Sequence, residues 1–305
     1  MKNNKIIKPI FFIGMARSGT TIIFELISRH PDLGWPTNYC ASFPNKLWMN
    51  SIRRFHDNKL FCIEARKKQY GNVIKGNRFL AKPAEAYSFW NLYANVDFSY
   101  NSLTGQFVNK PTSFKLHNTL MKLLKYQGRK RLAAKFTGPP RLQFLHSIFP
   151  DAKFVHIIRD GRAVVHSLLN VDFWINKGGL ERPYWLNFLS EDDIKIWEKN
   201  NKNSGVLAAL EWKKEIDLTH KESKVLDDNQ FIEIKYENFL ANPHKELRNL
   251  FSFCELHDSQ RAHLSLNKRE NLKNMNYKYE KDWSTEYINK ISDVMQPYLE
   301  NYNYY

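Results

Sequence analysis

Ile10-Phe11-Phe12-Ile13-Gly14-Met15-Ala16-Arg17-Ser18-Gly19-Thr20-Thr21 is the stretch on which the fold turns. Four apolar residues bounded by Pro9 and Gly14 predict a buried strand, and residues 21–29, closed by His30-Pro31, read as a helix. A strand that turns through a glycine loop into a helix aims free backbone N–H groups and the positive end of the helix dipole at one place, which makes an anion site. The spacing is that of a nucleotide-binding P-loop, GxxxxG followed by two threonines, but the lysine expected after the second glycine is Thr20 and the cation stands earlier as Arg17. Arg17 offers a planar fork suited to phosphate or sulfate oxygens. Thr20 and Thr21 add hydroxyls without the residue pairing that holds nucleotide-bound magnesium. The loop therefore reads as a site for metal-free anion transfer, with a glycine turn that binds nothing as the bland alternative.

Outward from this loop, strands and helices alternate. Residues 132–136 form a second strand, leading through Gly138-Pro139-Pro140 into a helix that ends near Phe149-Pro150; residues 154–158 form a third, followed by a helix over 162–170. Residues 192–220 read as one long polar helix with Trp197, Leu207, Leu210 and Trp212 turned inward, and residues 231–234 as a fourth strand. Such alternation predicts an α/β, P-loop-like three-layer fold, a central parallel sheet flanked by helices. Residues 33–130 carry helical spacing around 47–70 and 85–93, a polar stretch over 95–112 and a helix over 113–126, and read as a mostly helical insertion shaping an acceptor pocket. With no internal repeat and no low-complexity linker, residues 1–305 are expected to form a single domain.

The bulk numbers bound the function. A chain of 305 residues, 43% hydrophobic and 14% aromatic, buries a substantial core and is neither disordered nor fibrous. Its 46 Lys+Arg against 31 Asp+Glu leave +15, a field that draws in anions of any kind. The basic residues are scattered rather than gathered into stripes, and no RNP-like or zinc-finger motif occurs, so no nucleic-acid partner is expected. Cys40, Cys62 and Cys254 are too few and too widely spaced for a disulfide framework or thiolate site, and the ten histidines show no ligand spacing; no metal is expected. No apolar run approaches the ~18 residues of a membrane span. Lys2, Lys5 and Lys8 before residues 9–13 faintly mimic a signal peptide, but its cleavage would cut the glycine loop. A cytoplasmic protein is expected, or one held at the cytosolic membrane face by its basic surface.

A second anion site is legible where residues 154–158 run into Arg159-Asp160-Gly161-Arg162 and a helix carrying Ser167. In a parallel sheet the carboxyl ends of the strands share a rim, so Arg159 lies on the same rim as Arg17. A ligand with phosphates at both ends, such as a 3′,5′-substituted adenosine, needs such a pair. Two other accounts stand beside it: a local Arg159–Asp160 ion pair with Ser167 as helix filling, and Asp160 as a magnesium-side carboxylate of a P-loop phosphotransferase or kinase using ATP.

These residues resemble those of sulfotransferases that use 3′-phosphoadenosine 5′-phosphosulfate (PAPS), and the likeness spans most of the chain. Arg17-Ser18-Gly19-Thr20-Thr21 is similar to the family's 5′-phosphosulfate loop. Residues 149–167, from Phe149-Pro150-Asp151 to Arg159-Asp160-Gly161-Arg162 and Ser167, resemble its 3′-phosphate motif as written in tyrosylprotein sulfotransferases and bacterial relatives. Residues 231–239 followed by Asn242-Pro243 resemble its late strand and nucleotide-side turn. The resemblance implies that Arg17, Ser18, Gly19, Thr20 and Thr21 surround the 5′-phosphosulfate, that Arg159 and Ser167 hold the 3′-phosphate, and that Tyr236 lies near the nucleotide. It also implies that Lys135 faces the reacting sulfate and that Lys278, or Lys273 in its place, reaches a phosphate. The chain departs from the family at the base. The acidic residue that tyrosylprotein enzymes carry after the first helix is replaced by Pro36-Thr37-Asn38, and the histidine that cytosolic relatives carry after the second strand is Thr137.

Sulfuryl transfer needs an in-line acceptor oxygen, a cation for the charge growing on the bridging oxygen, and a base for the acceptor proton. Arg17 and Lys135 suit the cation. Glu85, in Lys82-Pro83-Ala84-Glu85-Ala86-Tyr87, is the candidate base, read as the start of a helix whose aromatic residues wall the acceptor pocket, with His117 and His146 behind it; a plain helix-start glutamate is the competing account. A carbohydrate or glycan acceptor is expected, because Trp48, Tyr87, Trp90 and Tyr93 offer faces for stacking on sugars. The competing functions are an ATP-dependent P-loop phosphotransferase and a non-catalytic basic protein that binds polyanions.

Overall fold

The computed structural model describes residues 5–56, 80–269, 272 and 274–304. Among these residues five parallel strands form one sheet in the order β2-β3-β1-β4-β5, with β1 Ile10–Ile13, β2 Leu33–Gly34, β3 Arg131–Lys135, β4 Lys153–Ile158 and β5 Phe231–Lys235. The four strands expected from sequence are present, each within a residue of its expected bounds. Only β2, two residues long and so without a readable period, was not foreseen.

β1 is buried on both sides, which is why it reads as an unbroken apolar run. Its side chains alternate between two cores. Phe11 and Ile13 join one cluster with Ala134, Phe136 and Phe154, while Ile10 and Phe12 join the other with Ala133, Val155 and Ile157. The first core is shared with the insertion, through Phe89 and Trp90 of the helix Tyr87–Ala94 and Leu116, Leu120 and Leu123 of the helix Lys110–Gln127. The second holds Ile23, Phe24 and Ile27 of the helix Thr20–Ile27 against Leu247, Leu250 and Phe251 of the helix Pro243–Phe253. The sheet is thus covered on both faces, as the alternation predicted.

Three expectations are corrected. The long helix over 192–220 is two, Glu191–Lys199 and Ser204–Ser223; Asn201 and Lys202 adopt left-handed backbone (φ 54 and 53), and the Asn203 side chain caps the second helix by accepting from the Gly205 and Val206 amides. Its anchors Trp197, Leu207, Leu210 and Trp212 are all buried as expected. The helix over 47–70 is, in its described part, a 3-10 turn Leu47–Ile52 and a short helix Arg53–His56; the remainder lies outside the described residues. The helix expected from residue 85 begins at Tyr87, because Ala86 sits at φ 53 and breaks the path, so Glu85 stands outside the helix rather than in its first turn. That removes the plain helix-start account of Glu85. Among the described residues no helix is long and apolar enough to cross a membrane.

The register sets the site. Phe12 lies opposite Lys135, Ile13 opposite His156, and Ile158 opposite Lys235. The residues that follow the strands, Gly14, Thr137, Arg159 and Tyr236, therefore emerge on one carboxyl-end rim with β1 at its centre, where open α/β sheets bind ligands.

Candidate active site

The glycine loop is shaped by two close approaches. Gly14 (φ +149) lies so near β4 that a Cβ there would stand 2.5 Å from the Ile157 carbonyl oxygen; at Gly19 (φ +89) a Cβ would stand 2.3 Å from the Tyr236 ring. Neither position admits a side chain without displacement. Arg17 itself is left-handed at φ 76. Gly19 caps the helix Thr20–Ile27 and has no side chain to engage its first amides, which leaves them for an outside acceptor. The Ser18 hydroxyl oxygen is buried in this loop with no hydrogen-bond partner among the described residues. An orphaned buried hydroxyl costs free energy unless a ligand satisfies it.

Arg159 leaves the end of β4 half-buried. Its Nε donates to Asn276 Oδ1 at 2.9 Å, one terminal nitrogen donates to the Arg17 carbonyl at 3.0 Å, and the guanidinium stands 5.2 Å from the centre of the Tyr236 ring. Arg17 Nε in turn donates to Ser167 Oγ at 2.8 Å. The two anion motifs, about 140 residues apart in sequence, are thus in direct contact. Asp160 is not the partner of Arg159. Its carboxylate pairs with Arg162 at 2.9 Å and caps the helix Gly161–Leu168 through the Arg162 amide, so both oxygens are committed and neither the local-pair account nor the magnesium-carboxylate account describes it. Lys278 lies two residues beyond Asn276 and is exposed; Lys273 lies outside the described residues.

Lys135 and Glu85 meet beside the loop. Lys135 Nζ stands 3.0 Å from Thr21 Oγ1 and 2.5 Å from Glu85 Oε1, and the Thr137 hydroxyl donates to Glu85 Oε2 at 3.2 Å. The lysine side chain is only 6% exposed and the glutamate 23%. Glu85 reaches this place because its segment pairs with residues 36–38: Thr37 bridges Pro83, the Ala84 amide donates to the Pro36 carbonyl at 2.9 Å, and the Lys82 amide donates to Asn38 Oδ1 at 3.0 Å. Residues 36–38 thus hold the segment that carries Glu85, and Thr137 binds its carboxylate.

Tyr87 secures Thr137 from both sides, accepting from its amide at 3.1 Å and donating to its carbonyl at 3.0 Å. Tyr184, against Tyr100 (5.8 Å between ring centres) and Trp185 (4.9 Å), forms a wall nearby. Burial, with the neighbouring Tyr100 and the charge of Glu85, pushes the Tyr184 hydroxyl up to about 12.

The aromatic side chains expected to face a sugar are placed differently. Trp90 is fully buried among Phe89, Phe98 and Phe136, with its indole N–H donating to the Glu85 carbonyl at 3.1 Å, and the Tyr87 hydroxyl is committed to Thr137. Tyr93 packs against the core and Trp48 is 58% exposed. His117 accepts the Ile6 amide at 3.0 Å, ahead of β1 and at the opposite end of the sheet, and His146 lies on the helix Leu142–Ile148; neither hydrogen-bonds to the rim residues. Cys40 and Cys254 are buried free thiols, and Cys62 lies outside the described residues. Tertiary folding does gather histidines that sequence spacing keeps apart, His30 with Asp32 and His257, and His156 with His220 and Glu233. The ring nitrogens of His30 and His156 are already engaged, by the His257 carbonyl and Asp32 amide and by Glu215 and Glu233 respectively.

The profile of the sulfotransferase family matches residues 9–260. Omega-hydroxy-beta-dihydromenaquinone-9 sulfotransferase Stf3 of Mycobacterium bovis is 24% identical over 270 residues, which cover 82% of this chain and 63% of that protein. The match thus spans less than two thirds of that relative's length. Among solved structures, sulfotransferase STF9 from Mycobacterium avium superposes with a TM-score of 0.61 at 16% identity, covering 97% of this chain and 77% of that one. Sulfotransferase STF1 from Mycobacterium tuberculosis H37Rv does so with a TM-score of 0.55 at 15% identity, over 95% and 77%. Both share the fold.

Proposed function

The chain belongs to the sulfotransferase family, and from that premise we propose that it moves a sulfuryl group from PAPS to a hydroxyl acceptor, leaving adenosine 3′,5′-bisphosphate. The observation that carries this reading is the contact between the two anion motifs, Arg17 Nε on Ser167 and Arg159 on the Arg17 carbonyl. One ligand with charged groups at both ends satisfies both. The buried Ser18 hydroxyl, without a hydrogen-bond partner among the described residues, and the side-chain-free cradle at Gly14 and Gly19 fit a phosphosulfate. Against an ATP-dependent reaction stand Thr20 in place of the loop lysine and the commitment of Asp160 to Arg162.

When bound, PAPS supplies a sulfuryl group on a phosphate leaving group. Arg17, Ser18, Gly19, Thr20 and Thr21 hold the 5′ end through amides, hydroxyls and one guanidinium, while Arg159 and Ser167 hold the 3′-phosphate. Lys278 borders this side, and Tyr236, stacked on Gly19, walls the nucleotide. Lys135, shared between Thr21 and Glu85, meets the negative charge that grows on the donor's bridging oxygen, with Arg17 beside it. Glu85 takes the acceptor proton, its second oxygen oriented by Thr137. No metal enters these assignments. The insertion and the sheet, sharing one core, work as a single domain.

For the acceptor we favour a hydroxyl on an apolar or ring-bearing body, because Tyr184, which feels the charge of Glu85, packs against the rings of Tyr100 and Trp185. The mycobacterial relative is named for a hydroxylated menaquinone derivative, which agrees with that class. A carbohydrate acceptor loses Trp90, fully buried, and Tyr87, whose ring packs on Phe136 and the core, as stacking faces.

Calorimetry with adenosine 3′,5′-bisphosphate tests the donor assignment. Arg159→Ala removes charge-assisted hydrogen bonds worth about 1.5–3 kcal/mol each, so affinity falls at least about tenfold. Unchanged binding by the variant overturns the second site.

A further inference from the structure

Arg159 is held in place by a chain of hydrogen bonds that begins far from it in sequence. The Tyr304 hydroxyl donates to Glu237 Oε2 at 3.0 Å; Glu237 Oε1 accepts from Asn276 Nδ2 at 2.6 Å and from the Asp160 amide at 3.1 Å; Asn276 Oδ1 accepts from Arg159 Nε at 2.9 Å. We propose that Tyr304, acting through Glu237 and Asn276, is a positioning residue of the 3′-phosphate site. The inference rests on the PAPS reading and assigns a role to a residue outside the matched family region.

The donor and acceptor chemistry gives the chain its direction. A guanidinium only donates and a carboxylate only accepts, so the Asn276 amide is fixed with its oxygen on Arg159 and its nitrogen on Glu237. Asn276 thereby links a cation to an anion without bringing them together. Glu237 orients Arg159 but does not neutralise it by contact, and of the five N–H groups of Arg159, three have no partner among the described residues. Those are the groups a phosphate would meet.

The 302–304 segment is itself pinned to the rim. Arg162 donates to the Tyr304 carbonyl, Lys235 donates to the Tyr302 carbonyl, and the Lys235 ammonium stands 4.5 Å from the centre of the Tyr304 ring. The Tyr302 hydroxyl meets His220 Nε2 at 3.1 Å. Burial and the adjacent Glu237 carboxylate hold the Tyr304 hydroxyl in its protonated, donating form. Arg162 and Lys235 belong to the helix Gly161–Leu168 and to β5, so the two elements that frame the 3′-phosphate side both grip this segment.

The test separates orientation of Arg159 from general stability. Calorimetry is run with adenosine 3′,5′-bisphosphate and with adenosine 5′-monophosphate on the wild type, Tyr304→Phe and Asn276→Ala. Tyr304→Phe keeps the ring and the main-chain anchors and removes one hydroxyl. The preference for bisphosphate over monophosphate is expected to fall about 3- to 10-fold in both variants, with monophosphate affinity within about twofold of wild type. A preference unchanged in both variants, or a parallel loss of both ligands, overturns the inference. A wild type that binds the two ligands equally overturns the PAPS reading itself.

Discussion

Replacing Glu85 by glutamine isolates the proton-accepting role of the site. Glutamine keeps the shape of the side chain. With Lys135 Nζ 2.5 Å from Oε1, the amide must turn its oxygen toward the lysine and its nitrogen toward Thr137, whose hydroxyl then accepts instead of donating. The geometry survives while the carboxylate is lost. A positioned general base contributes about 10²–10⁴ in rate, so kcat is expected to fall by that factor, equivalent to roughly 3–5 kcal/mol in the barrier. Donor affinity is expected to stay within about twofold, because Glu85 bonds to Lys135 and Thr137 while the 3′-phosphate side is built on Arg159 and Ser167. Alanine is the poorer choice, since it would leave Lys135, 6% exposed, without its counter-ion. The assay is release of adenosine 3′,5′-bisphosphate from PAPS, with an acceptor that supports wild-type turnover, beside calorimetric binding of the bisphosphate. A kcat within threefold of wild type, with binding intact, refutes the reasoning.

Two further outcomes follow from the geometry. Gly19→Ala, which places a methyl 2.3 Å from the Tyr236 ring at a backbone angle of φ +89, is expected to cost about 1–3 kcal/mol of stability and to weaken bisphosphate binding at least about tenfold; wild-type binding in calorimetry contradicts the close-approach argument. Burial alone would depress the pKa of His156, but Glu215 and Glu233 outweigh it and raise the pKa to about 9. Because the folded value lies above the unfolded value of about 6.5, this stabilisation is complete below that pH and is lost as the pH rises through about 9. Chemical denaturation between pH 6 and 10 is expected to show a decline on the order of 3 kcal/mol that His156→Gln abolishes; an identical decline in the variant assigns it elsewhere.

The sheet was legible because a parallel strand buried on both faces is an apolar run, continuous in residues 10–13 and broken only by His156 in residues 154–158, and because glycine and proline punctuate both. β2 carries no such signal in two residues. The break at 200–203 escaped because buried anchors stand on both sides of it, Trp197 before and Leu207, Leu210 and Trp212 after, while the turn is made by Asn201, Lys202 and the Asn203 cap. At the site, Arg17 and Arg159 were legible from strand ends, since the rim of a parallel sheet is predictable once its strands are known, whereas Lys135 and Tyr236 entered through the family resemblance. Glu85 was chosen as the start of an aromatic-rich helix, yet what brings it to Lys135 is the pairing of 82–84 with 36–38, which no local period encodes. Thr137 was read as the mark of a missing base when it is a donor to the carboxylate that stands there. Asn276, Glu237 and Tyr304 were missed because their hydrogen bonds join side chains 39 to 117 residues apart.

Thermal shift with adenosine 3′,5′-bisphosphate, set against ATP with magnesium, tests the donor assignment most directly, because stabilisation by a bound ligand needs neither acceptor nor turnover. At a hundredfold excess over Kd the bisphosphate contributes about 2.7 kcal/mol, and Tm is expected to rise by about 3–6 °C without added metal. ATP with magnesium is expected to shift it less. A larger shift with ATP and magnesium, or none with the bisphosphate, contradicts the account.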